Sequence, residues 1–100
     1  MASDQVRSFR ESLKDDLPPS NAKGPLEAHW HVGKGRLAKA LELIDRDASK
    51  DAAWVRAHLH RRKGEKAEAA KWYERAGRSP SQQTVDQEWD SIAAGLLLHI

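Results

Sequence analysis

The chain has 100 residues, 39% apolar and 32% charged, a bulk that bounds it to one domain around a modest core. It holds no cysteine, which excludes disulfides, thiolate metal ligands and a thiol nucleophile. The net charge of +2 hides a gradient: residues 55–78 carry eight Lys/Arg against three Asp/Glu, while residues 79–100 carry three acids and no Lys or Arg. Ala, Leu, Glu, Lys and Arg dominate over Val, Ile, Tyr, Phe and Thr, which favours helix over sheet. No stretch approaches the roughly 20 apolar residues of a membrane span. "MASDQVRSFR" lacks the apolar run of a secretion signal. A cytoplasmic protein with no membrane partner is expected.

In chain order, Val6, Phe9 and Leu13 stand at helical spacing, and Ser3 can cap the segment, so an N-terminal helix is expected over 3–16. Pro18 and Pro19 end it, because proline cannot continue a helix. Pro25 suits a first helical turn, and a short helix runs to about Val32. "GKG" breaks the chain before a helix from Arg36 to about Arg46, which completes a helix pair over 25–46. After the loop "DASKD", a helix from Asp51 to Lys63, a turn at Gly64 and a helix to Ala76 make a second pair over 51–76. Thr84 and Gln87 have capping-box spacing. Val85, Trp89, Ile92, Ala93, Leu96 and Leu97 then form an apolar stripe, so an amphipathic helix is expected over 84–100. The fold class is all-α, in a single domain.

The two pairs repeat. A shift of 29 residues brings His29 onto His58, His31 onto His60, Gly35 onto Gly64, Ala40 onto Ala69 and Ile44 onto Tyr73. Helix pairs with matching faces bury their apolar sides by stacking. "GEKAEAAKWYERAG" resembles the second half of a tetratricopeptide repeat, with Gly64, Ala69, Tyr73 and Ala76 at its glycine, small, aromatic and small positions. "AKWYERAG" also resembles the related Sel1-like repeat. The first copy keeps Gly35, Ala40 and Ile44 but has Asp47 where the small residue belongs. The segment from Ala53 to Arg78, together with Trp89, is similar to a group of small bacterial proteins of unknown function. These resemblances imply a short helical array, with the C-terminal helix covering the exposed face of the last repeat. They supply no activity.

The histidines raise the question of a metal. On a helix, i and i+2 lie about 200° apart, so neither His29 with His31 nor His58 with His60 faces one ion. One histidine from each pair could meet between helices, but no cysteine or carboxylate cluster completes a site. No metal and no cofactor are expected. His60 is expected to hydrogen-bond between helices.

On the helix from Asp51, Ala52, Val55 and Leu59 fill one apolar arc, and Ala53 and Ala57 a second. Between them runs a ridge of Asp51, His58 and Arg62, flanked by Trp54 and Arg61. In the tetratricopeptide family the equivalent helix lines a concave, peptide-binding surface. The resemblance therefore places Trp54, His58, Arg61 and Arg62 toward a groove, where they suit an acidic or carboxylate-bearing partner. The other reading makes Trp54 core and the arginines a solvated face. Trp30, Trp72, Tyr73 and Trp89 are expected in the packing. The expected function is a protein- or peptide-binding adaptor. The alternative is nucleic-acid association through the basic segment 56–78, and the third is a metal protein or enzyme using the histidines.

Overall fold

The computed structural model describes residues 2–99, and it is all-helical. α1 spans Ala2–Glu11 and runs into a 3-10 turn, Ser12–Lys14. α2 (Gly24–Gly33) and α3 (Leu37–Ile44) form one hairpin, α4 (Lys50–Arg62) and α5 (Lys66–Ala76) a second, and α6 (Val85–Leu97) follows. No helix of the described residues is long and apolar enough to cross a membrane.

Local chemistry sets most of these limits. Pro25 lies in the first turn of α2. The Ser49 hydroxyl accepts from the Ala52 N–H and starts α4 one residue earlier than expected. Thr84 and Gln87 close the full capping box of α6. Gly77 ends α5 in the left-handed region. At the N-terminus, the expected helix over 3–16 gives up its α-helical ladder at Glu11, and Ser3 falls inside the helix instead of ahead of it. α6 ends at Leu97, before the expected boundary. Ile100 and the capping side chain of Ser3 lie outside what is described.

The two hairpin turns are copies. Lys34 N–H donates to the His31 carbonyl at 3.1 Å and Lys63 N–H to His60 at 3.1 Å; Arg36 N–H reaches His31 at 2.9 Å and Glu65 N–H reaches His60 at 2.9 Å. Both turns pivot on a glycine of positive φ, 77° at Gly35 and 76° at Gly64. The two positions matched by the 29-residue offset thus share one backbone conformation, which glycine adopts without steric cost.

α6 does not lie where an end cap would. It packs on α1, α2 and α4, the N-terminal helix and the inner helices of both hairpins. Its stripe of Trp89, Ile92, Ala93, Leu96 and Leu97 is buried there. Phe9 of α1 stacks on Trp89 with ring centroids 5.6 Å apart, and Arg10 grips both carboxylate oxygens of Asp90 at 2.7 Å. The expectation that α6 covers the outer face of the last repeat is therefore corrected. An apolar stripe is buried against apolar surface, and α1, α2 and α4 together present that surface to α6.

Candidate functional site

The ridge residues of α4 do not share an open groove, because α6 fills the concavity they face. His58 is fully buried, which corrects its expected place at a solvent-facing groove. Its Nδ1 lies 2.7 Å from Glu88 Oε1 of α6. Arg62 Nε donates to His58 Nε2 at 2.8 Å. An arginine only donates, so Nε2 is the acceptor nitrogen and the ring proton sits on Nδ1, directed at Glu88. Arg61 Nη1 adds a donor to Glu88 Oε1 at 3.1 Å, and Arg61 Nη2 donates to the Gln83 carbonyl. The Tyr73 hydroxyl donates to Glu88 Oε2. Three side chains from α4 and α5 thus hold one buried carboxylate.

The electrostatics follow from this arrangement. Burial alone would raise the Glu88 carboxyl, but hydrogen bonds from His58, Tyr73 and Arg61 outweigh it and keep the group below the usual carboxylate range. Burial lowers His58, against the opposing pull of Glu88. Burial, then the bond to Glu88, pushes the Tyr73 phenol up. The result is an ionised Glu88 beside a neutral histidine, with Arg61 and Arg62 supplying positive charge. The carboxylate-binding chemistry expected of the ridge is present, and its ligand is the chain's own Glu88.

His29 occupies the matching position on α2 and is also fully buried. Its ring meets that of His58 edge-on, 5.5 Å between centroids. Its Nε2 lies 2.9 Å from the Trp89 carbonyl, which can only accept, so Nε2 carries the proton. Trp89 Nε1 returns a bond to the His29 carbonyl at 3.0 Å. Nδ1 of His29 is buried with no partner. Burial, then the neighbouring His58, lowers the His29 pKa to about 3. Among the described residues no three His, Cys, Asp or Glu side chains converge as a metal site would require. His60 Nδ1 lies 2.7 Å from Glu65 Oε1, across the turn between α4 and α5.

Trp54 is 8% exposed, so it belongs to the core. Its ring lies so close to Gly95 of α6 that a β-carbon there would come within 2.7 Å. The Arg78 guanidinium covers the ring at 3.4 Å from its centroid. Of the four expected partner-binding residues, the structure therefore buries Trp54 and His58, ties Arg61 to Glu88 and Gln83, and ties Arg62 to His58. Trp30, Tyr73 and Trp89 are buried as expected, whereas Trp72 is only half-buried.

Two features lay outside the expectations. One is Glu88, whose signal was a charge on an apolar stripe, three residues after Val85 and four before Ile92. The other is the surround of Trp72. Arg56 of α4 and Arg75 of α5 bring their guanidinium carbons to 4.4 Å and 4.6 Å from its ring centroid. The Trp72 to Arg75 spacing of i to i+3 was legible, but the approach of Arg56 depends on how α4 and α5 pair. These residues, with Arg46 and the loop Asp45–Ser49, line an open pocket of about 340 Å³ between the two hairpins.

In comparisons with known proteins, the chain matches no family model, no curated protein and no solved structure.

Proposed function

We propose that the chain is a small adaptor built on tetratricopeptide-like hairpins, which binds a protein or peptide through acidic side chains. The copied turns at Gly35 and Gly64 support the repeat reading. The observation that carries the binding reading is a group of arginines at one opening, Arg46, Arg56 and Arg75, that outnumber the aspartates beside them, Asp45 and Asp47. Among the described residues Arg46 and Arg75 form no ion pair, and Arg56 has a single contact at 3.3 Å, to Asp45. Like charges held together in this way favour an anionic partner. The cytoplasm is the compartment this reading assumes.

The nucleic-acid alternative, through segment 56–78, draws on the same cations. Exposed Glu65, Glu68 and Glu74 interrupt the phosphate track it would need. In the adaptor reading the histidines act within the packing, His29 on a backbone carbonyl and His58 on Glu88.

A panel of labelled peptides followed by fluorescence anisotropy tests the proposal. Acidic peptides should bind and neutral or basic ones should not. Affinity should fall far less between 50 and 200 mM salt than the roughly 10³–10⁵-fold typical of proteins making many phosphate contacts. Equal binding of acidic and basic peptides would refute the reading.

A further inference from the structure

We propose that the partner's carboxylate docks in the open pocket between the two hairpins, on Arg46, Arg56 and Arg75 beside Trp72, and that Asp45 is the internal occupant it displaces. This rests on the acidic-peptide reading above and assigns its site.

The protein holds two carboxylates against arginine, and they differ in kind. Glu88 has a side chain 3% exposed and takes hydrogen bonds from His58, Arg61 and Tyr73. An external ligand there would have to displace a carboxylate held by all three. Asp45 has a side chain 71% exposed and makes one long contact, 3.3 Å, to Arg56 Nη2. Exposed pairs of this sort contribute little and exchange readily. Asp45 also fails to complete the two-point grip that a guanidinium offers a carboxylate, because Arg56 Nε is left buried without an acceptor. The neighbouring Asp47 is already engaged, accepting from the Ser49 N–H at 2.9 Å.

The indole of Trp72 holds the guanidiniums of Arg56 and Arg75 close to one ring, so two forks are positioned before any ligand arrives. Ordering them in advance lowers the cost of binding. Arg46, on the loop from the first hairpin, puts a third cation at the same opening. The pocket is open and about 340 Å³, room for an acidic side chain with the backbone of an extended peptide outside it. Three arginines against two aspartates, one of them loosely held, leave the opening net positive and make a carboxylate-rich peptide the complementary occupant.

The test uses the full chain labelled with ¹⁵N. Its four tryptophans give four indole N–H resonances, assigned by single Trp→Phe variants. A glutamate-rich peptide should move the Trp72 resonance and leave Trp30, Trp54 and Trp89 in place. Arg75→Gln and Arg46→Gln, both at exposed positions, should each weaken binding about tenfold, as for loss of one charge-assisted contact. Asp45→Asn should tighten it several-fold, with melting temperatures of all three variants unchanged. If the peptide binds but moves Trp54 and not Trp72, the pocket assignment falls while the adaptor reading stands. If calorimetry finds no peptide binding at all, both fall. Inorganic phosphate or a short single-stranded oligonucleotide that moves Trp72 at lower concentration than the peptide would overturn the acidic-peptide assignment. An unchanged affinity in Asp45→Asn would overturn the displacement by a partner carboxylate.

Discussion

The two hairpins share a turn and a buried histidine but not the use they make of it. In both, the histidine at the matched position, His29 or His58, faces α6 and is shut off from water. His29 meets a backbone carbonyl, at Trp89, and keeps one nitrogen unpartnered. His58 meets a carboxylate, one residue earlier in α6, and has both nitrogens engaged. The turns diverge too. Lys34 and Arg36 of the first hairpin hold the carbonyls of Leu13, Asp15 and Asp16, so that turn is tied to the N-terminal segment. In the second, Lys63 and Glu65 face each other at 3.6 Å across an exposed turn. A hairpin thus keeps what its own backbone and core dictate. What its side chains do depends on the element they meet, and α6 offers its two faces unequally.

That contrast can be broken most directly at Glu88. Glu88→Ala should cost about 3–5 kcal/mol, because it strands Arg61, His58 and Tyr73 around an empty place. Denaturant melts measure it. A loss no larger than that of a surface substitution would mean the network does not hold α6 to the second hairpin.

Acid should separate the two histidines next. A histidine with a depressed folded-state pKa binds fewer protons folded than unfolded, so stability is full above the unfolded value of 6.5 and falls as pH drops toward the folded value. With His29 lowered to about 3, its share of the loss between pH 7.5 and 5 is about 2 kcal/mol. His58 contributes in the same direction, but the bond to Glu88 opposes its depression. Glu88 itself adds a loss only as pH falls through the ordinary carboxylate value of 4.5 toward its lowered folded value. His29→Gln keeps a donor where Nε2 stood, and His58→Asn keeps one where Nδ1 stood. Melts across this pH range should be flattened more by His29→Gln. Equal flattening would mean the partners on α6 do not distinguish the two sites.

The smallest effects should come from the feature the hairpins share. Gly35→Ala and Gly64→Ala each place a β-carbon in open space but at positive φ. Each should cost about 1 kcal/mol, equal within a few tenths. A clear inequality in thermal melts would show that the two turns are not energetically the same unit.

Much of this fold could be read along one dimension. Caps such as Thr84 with Gln87, the breaks at Gly35 and Gly64 and the two buried arcs of α4 rest on signals local in the chain, and the 29-residue offset on comparing two such local patterns. An apolar stripe states that a helix is buried, but it does not name the surface that buries it. Only the tertiary structure decided that α6 lies across α2 and α4, and everything at the candidate site follows from that. It set Glu88 against His58, 30 positions away, and turned an expected groove into core. It also brought Arg56 over Trp72 through the pairing of α4 with α5, leaving the open cations beside the loop that joins the two hairpins. Hydrophobic burial is non-directional, so the sequence determined which residues leave water, and the packing of whole helices determined whom they meet.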